Sequence, residues 1–500
     1  MQDKVNTVRM ATQKVMKYRE AEQRKLQIVF FGLIFCAVTG KSSGMLLALT
    51  VIMWADNVLF AARRINDRFV FLMFHITFFV FLLDRPIIAV LRRWDWISIQ
   101  IEGYGATEDS IFRAVYCMLI SLIGLRISAE WTEKKSRELQ KKQKHRVCGI
   151  GAELTHIVQI LAFLLFAVSG VFKVVVEVEK ATFIFRHSYV AYYSGFQSQL
   201  PYVVYVASTF FPYAMCAFLA TLPSKRMSYL VLGFYVLTAI PTTLGGERSK
   251  IVLNLCLSLT YFVFRDSYGN RKKWIGKPEK ILIVCGGTIG IVLLGAMNYI
   301  REGSTVELNI FAIALDFFFK QGVTFSWVCA GMAQMNALRN AGVANYTFGG
   351  IVDYFAHGVP AQKMFHMSAI PSGNNMLQIT EGHSMSHHLS YLILGSEQYL
   401  EGHGTGSSYL LELYTDYDMI GVLVASVLIG ALLIGIFRAA RFNSAIRLLM
   451  LCGTGEMLMM PRSSTIGCME FLWRIPFWCT ALYLVVGSIL VKKIGKHKIE

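Results

Sequence analysis

The run Met419-Ile-Gly-Val-Leu-Val-Ala-Ser-Val-Leu-Ile-Gly-Ala-Leu-Leu-Ile-Gly-Ile-Phe437 contains no charged residue and stops at Arg438-Ala-Ala-Arg441. Coiled as a helix, a run of this length covers the hydrocarbon thickness of a bilayer, roughly 30 Å. The arginines that close it read as a cytoplasmic anchor, because short basic loops stay on that side during insertion. Working outward from it, the same pattern recurs along the chain. Of 500 residues, 55% are hydrophobic and only 16% charged, and the mean hydropathy is +0.48. Such a composition excludes a water-soluble domain and makes lipid the solvent.

Apolar runs at 26–40, 44–61, 69–90, 111–127, 154–176, 201–222, 229–244, 251–264, 281–299, 419–437, 445–460 and 471–491 predict an all-α integral membrane protein with about 12 transmembrane helices. The formal charge of +17 does not point to nucleic acid, because the basic residues cluster in short segments between spans. These are 1–25, 62–68, 134–146, 224–227, 265–280, 438–441 and 492–498. Counting from an inside start places all of them in the cytoplasm, against anionic lipid, with both termini there. Segment 1–25 reads as an amphipathic cytoplasmic helix, 26–491 as one membrane domain and 492–500 as a cytoplasmic tail. The ten cysteines are scattered, mostly inside apolar runs, so neither a disulfide framework nor a zinc site is expected.

The same parity turns 92–110, 177–200, 245–250 and the long segment 301–418, between spans 9 and 10, to the outside. Residues 309–338 are apolar but carry Asp316 and Lys320. An interfacial or re-entrant helix fits them better than a span, which would invert the later basic loops. The long outer segment holds six of the eleven histidines and leads through Ser384-Met-Ser-His-His-Leu-Ser-Tyr into Gly402-His-Gly-Thr-Gly-Ser-Ser-Tyr-Leu-Leu-Glu-Leu-Tyr.

Alternating Gly402, Gly404 and Gly406 allow close backbone approach to a ligand, and Ser407 or Ser408 reads as the cap of a helix starting near Tyr409. That helix start favours an anion, though the same pattern also serves a plain turn. Glu412 falls one position past the capping-box site, so the motif does not account for it. A carboxylate among aromatic residues suits a general base, while the helix dipole also favours an acid there.

Arg248, Arg301 and Arg462 each follow a span at its outer end, where topology does not call for positive charge. A guanidinium fork matches phosphate oxygens; snorkelling to headgroups, or pairing with Glu247 or Glu302, is the alternative. Within spans, Asp84, Arg85 and Glu456 are costly charges. His387 and His388 are adjacent and point to different faces, so no metal site is expected.

The outer Gly-Gly-x-Arg turn, the His-x-x-Ser-Tyr segment leading into Gly-x-Gly-x-Gly-Ser-Ser-x-x-x-Glu-Leu-Tyr, and the late Pro-Arg-Ser-Ser together resemble the bacterial Wzy polymerases of O-antigen and capsule repeat units. The residue-level match covers about 50 positions; the topological one covers most of the chain. The resemblance implies a cofactor-free membrane glycosyltransferase with a fold similar to the C-type glycosyltransferases. Its substrate would be an oligosaccharide repeat unit on undecaprenyl pyrophosphate, polymerised at the outer face of the bacterial inner membrane with inversion. A flippase and a chain-length regulator are the implied partners. Arg248, Arg301 and Arg462, with Gly404, Gly406, Ser407 and Ser408, would hold the leaving pyrophosphate. Glu412 or His388 would take the acceptor hydroxyl's proton, and Arg85, Tyr391, His403, Tyr409 and Tyr414 would contact glycan. Glu247 is placed to neutralise Arg248 in part. An O-antigen ligase shares this topology and donor, while a flippase or transporter would place polar groups at mid-membrane.

Overall fold

The computed structural model of the chain describes residues 29–142, 152–268, 273–302 and 309–497; the expected surface helix over 1–25 lies outside them. The described residues contain no strand. In chain order the main helices are α1 (Val29–Thr39), α2 (Ser43–Ala62), α3 (Ile65–Leu91), α4 (Trp96–Tyr104), α5 (Glu108–Lys142) and α6 (Ala152–Arg186). After these come α7 (Tyr189–Gly195), α8 (Tyr202–Ala220), α9 (Lys225–Leu244), α10 (Ser249–Asp266), α11 (Lys277–Glu302) and α12 (Ile310–Gln321). The series closes with α13 (Val323–Ala333), α14 (Met385–Glu401), α15 (Tyr409–Ala439), α16 (Ser444–Met459) and α17 (Ile475–His497). Residues 492–497, expected as tail, continue α17.

Among the described residues nine helices, α2, α3, α5, α6, α8, α9, α11, α15 and α17, are long and apolar enough to cross a membrane, and the chain is a multi-pass membrane protein. The sequence predicts twelve spans. The described part of the first is an 11-residue helix, and the eighth and eleventh correspond to α10 and α16, 18 and 16 residues long. Protein rather than lipid surrounds α16, which packs on α3, α8, α10 and α15. Its buried Arg447 donates to the Ala440 and Ala220 carbonyls and to the Tyr268 hydroxyl. Segment 309–338 is not one helix. It breaks at Gly322 into α12 and the buried α13, which packs on α4, α5 and α15.

The centre of the molecule is the long contact of α15 with α5. A Cβ on Gly124 would lie 3.1 Å from the Leu423 carbonyl, and one on Gly430 would lie 2.6 Å from the Leu125 carbonyl, so glycine sets this spacing. Hydrogen bonds from Ser121 to the Tyr409 hydroxyl (2.6 Å) and from Ser426 to Ser121 (2.7 Å) tie the two helices together. The outermost helix, α11, packs mainly on α12 and turns its apolar side chains outward.

The basic segments converge. Arg64, Arg68, Arg137 and Arg438 all pair with the buried Glu133, and Arg441 pairs with Asp67. Lys225 pairs with Glu279. Side chains from three of the seven basic segments thus meet at Glu133, while segments 224–227 and 265–280 meet through Lys225 and Glu279.

Candidate active site at the glycine-rich helix start

The loop before α15 is built by its glycines in different ways. Gly402 has φ +109°, and a Cβ there would lie 2.4 Å from the Val190 carbonyl of α7, so no other residue fits. Gly406 has φ +79°, and a Cβ there would find only the Arg462 carbonyl nearby, at 3.8 Å. Gly404 faces open space apart from the Ser390 hydroxyl at 3.7 Å. That hydroxyl accepts from the Thr405 amide (2.9 Å), fastening the loop to α14. Ser408 caps α15, its hydroxyl accepting from the Leu410 amide at 3.4 Å.

Glu412 is buried one turn into α15. One carboxylate oxygen accepts from the Ser407 hydroxyl (3.0 Å), and the other accepts from the Thr465 amide (2.8 Å) and hydroxyl (2.9 Å). Instead of completing a capping box, Glu412 therefore reaches out of its helix and clasps the 461–466 segment. Three of roughly four acceptor positions on a carboxylate are filled, and the unfilled one is on the oxygen facing Ser407.

Three residues before Thr465 stands Arg462. Its guanidinium makes one long hydrogen bond, 3.4 Å to the Gln321 side-chain oxygen, and lies 5.5 Å above the Phe81 ring. Asp84, Tyr189 and Tyr193 are its electrostatic neighbours, yet among the described residues no carboxylate pairs with it within 4 Å. Asp84 and Arg85 sit where α3 contains a π turn, Phe79–Leu83, just before Pro86. Proline supplies no amide and its ring crowds the preceding turn, which widens the helix there. The Asp84 carboxylate is fully buried, and among the described residues neither of its oxygens meets a hydrogen-bond donor. It packs so closely on Gly322 that any side chain at that position would collide with it. Arg85 does not bond its neighbour: it donates to the Phe319 carbonyl (3.1 Å) and the Tyr104 hydroxyl (2.7 Å).

The other expected residues are dispersed. Arg248 donates to the Leu294 carbonyl of α11 at 3.0 Å, while Glu247 pairs with Lys250 (2.8 Å) and not with Arg248. The link from this turn to Arg462 runs through α7, whose Tyr189 ring lies 3.2 Å from the Cβ position of Gly246. Arg301 is in the last turn of α11, and its side chain lies outside the described set.

His388 is buried, its Nε2 3.1 Å from the Gly382 carbonyl and its ring against Tyr346. Burial lowers the proton affinity of His388, and it lowers that of His387 to about 4, with His388's own charge adding to the effect on His387. No contact joins His388 to Glu412. Tyr409 is in the core on Ser121 and Phe74, so it has no surface to offer a glycan. Tyr414 faces Arg113 and Arg339. Tyr391 packs edge-on against Tyr399, and His403 is exposed, 4.0 Å from Glu401. Glu456 is exposed.

Sequence reading missed Thr465, Gln321 and the α7 tyrosines. Thr465 ends the Pro-Arg-Ser-Ser-Thr string that already contained Arg462, and Tyr189, Tyr192 and Tyr193 form a visible aromatic cluster in the 177–200 segment. Gln321 carried no signal.

One clasp thus joins the glycine loop, an acid and an arginine from distant parts of the chain, and the family comparison covers all of them. The family model for the O-antigen polysaccharide polymerase Wzy matches residues 25–494. The chain belongs to this family. No curated protein and no solved structure matches it significantly. Wzy proteins polymerise O-antigen repeat units from lipid-linked oligosaccharides, which makes this chain a membrane polymerase of polysaccharide biosynthesis and accounts for its many spans.

Proposed function

We propose that this Wzy chain transfers a growing glycan from undecaprenyl pyrophosphate to a carrier-linked acceptor unit at the outer face of the bacterial inner membrane, with inversion and pyrophosphate as leaving group. The observation that carries the reading is Arg462. A partly buried guanidinium whose hydrogen bond is to a neutral amide, with no paired carboxylate, is a cation held ready for an anion. The glycine loop and the capped start of α15 lie beside it and add backbone donors of the same polarity. A diphosphate gains charge as its sugar departs, so fixed donors here lower the barrier more than they stabilise the ground state.

Glu412 is the favoured base. It has an acceptor position left on its Ser407-facing oxygen, and its other oxygen fixes the segment that carries Arg462, so acid and arginine hold a set spacing. His388 is engaged with a carbonyl and buried under Tyr346, which leaves it a packing role. Arg248 and Arg301, with Ser407 and Ser408, stand as further pyrophosphate ligands on approach of the substrate. In this reading the basic end around Glu133 faces the cytoplasm, as the positive-inside rule favours, and Arg462 faces outward.

The test is deletion followed by complementation, read as surface glycan on a gel. Loss of the chain leaves single-repeat glycans, whereas a missing ligase leaves none and a missing flippase traps carrier inside. Arg462→Ala is expected to keep single repeats and lose the ladder at normal protein level. A full ladder from that variant overturns the pyrophosphate role.

A further inference from the structure

A second feature lies beside Arg85, whose partner Tyr104 forms part of it. A cavity of about 300 Å³ opens between the end of α4, α13 and α14, within the size range of small-ligand sites. Its wall includes Tyr104, Trp327, Gln334 and the 392–394 turn, and no charged side chain lines it. The rings of Tyr104 and Trp327 meet edge to face at 4.8 Å.

The wall carries two neutral polar groups, the indole N–H of the half-buried Trp327 and the side-chain amide of the exposed Gln334. An indole N–H in a half-buried setting ordinarily finds an acceptor. The third wall supplies acceptors. Helix α14 breaks at Gly395 (φ +81°, ψ 169°), so the carbonyls of the turn before it end a helical segment and lack their usual amides. Aromatic surface beside outward donors and acceptors, without charge, matches one ligand class. A pyranose ring has an apolar C–H face and a rim of neutral hydroxyls.

The cavity is coupled to the proposed reaction centre twice. The Tyr104 hydroxyl takes the Arg85 hydrogen bond, and Arg85 adjoins Asp84, which faces Arg462. On the other side, Ser390, less than one helical turn before Leu392, holds the Thr405 amide of the glycine loop.

We infer that this cavity is a saccharide subsite that takes one uncharged pyranose of the carrier-linked repeat unit, with Trp327 and Gln334 as its specificity-determining residues. The inference rests on the polymerase reading and adds to it the place where a sugar is recognised. It predicts a neutral sugar at this point in the repeat, since a uronate would enter a cavity with no cation to meet it.

The test uses the purified full chain in detergent and saturation-transfer NMR, with methyl glucopyranoside, methyl galactopyranoside and methyl glucuronide as probes. A neutral glycoside is expected to receive saturation in wild type, and the glucuronide to receive little. Gln334→Leu, which keeps volume, should weaken the neutral signal about fivefold, the equivalent of one hydrogen bond; Trp327→Ala should remove it. Trp327→Phe, which keeps the ring but loses the N–H, serves if the alanine variant does not fold. No transfer to any neutral probe, or undiminished transfer in both Gln334→Leu and the tryptophan variant, overturns the subsite. In cells, polymer from wild type is scored separately. A chain that polymerises yet binds no pyranoside sinks the subsite alone, and one that binds but never polymerises sinks the polymerase reading.

Discussion

Glu412 shows how much one side chain can do in a lipid-embedded fold. Its three hydrogen bonds connect a helix start to a segment about 50 residues away in sequence, and each bond to a charged acceptor is worth about 1.5–3 kcal/mol. The clasp and the proposed role as base are separable by substitution. Glu412→Gln keeps the size but loses the basicity, and polymer yield is expected to fall at least about 100-fold with protein level retained. Thr465→Ser preserves both donors and should build a normal ladder, while Thr465→Ala loses one donor and should build a shorter one. A normal ladder from Glu412→Gln assigns the proton to another acceptor. That Glu412 mattered was legible from its place past the capping box. Its partner was not, because Thr465 approaches only through folding.

At the scale of elements, the glycine loop divides into a part required by packing and a part left open. Gly402→Ala combines a left-handed backbone with a carbonyl 2.4 Å away. It is expected to cost about 2–4 kcal/mol and to lower the thermal midpoint in detergent along with the amount of chain in the membrane. Gly404→Ala meets nothing closer than 3.7 Å and should leave the midpoint unchanged. Any loss of polymer in that variant then reports close approach of substrate to the loop; unchanged polymer assigns this glycine to chain flexibility alone. In the sequence all three glycines look alike, since the period of two says nothing about which one α7 will press against. Similarly, Pro86 stands just after the π turn in α3, but that the widened turn would set Asp84 against Gly322 depended on α12 and α13 arriving there.

For the molecule as a whole, charge sorts the two ends. Four arginines from three segments surround Glu133, which is buried. Glu133→Gln removes the carboxylate they share and is expected to destabilise the chain by about 3–5 kcal/mol. That loss would be read as a lower melting midpoint and faster proteolysis in the membrane. Arg64→Gln, at the half-exposed rim of the same cluster, should change stability by less than about 1 kcal/mol. Equal effects from the two would mean that the cluster is only a solvated patch. The cluster draws three of the basic segments onto one acid at one end of the molecule.

Sequence by itself determined the solvent, the helical class, most spans, the start of α15 near Tyr409, and a family resemblance carried by about 50 positions. All of these follow from local chemistry, in which hydropathy over one helix length, capping within one turn and charge between spans each act over short stretches of chain. Only the tertiary structure decided that Glu412 clasps the segment carrying Arg462, that Arg248 reaches α11 instead, that α16 is wrapped in protein, and that Trp327 and Gln334 line a cavity beside Arg85. Those facts depend on which helix faces meet. Lipid rewards burying any apolar face about equally, so the choice among faces falls to glycine spacing, proline-induced turns and a few buried polar contacts spread along the whole chain.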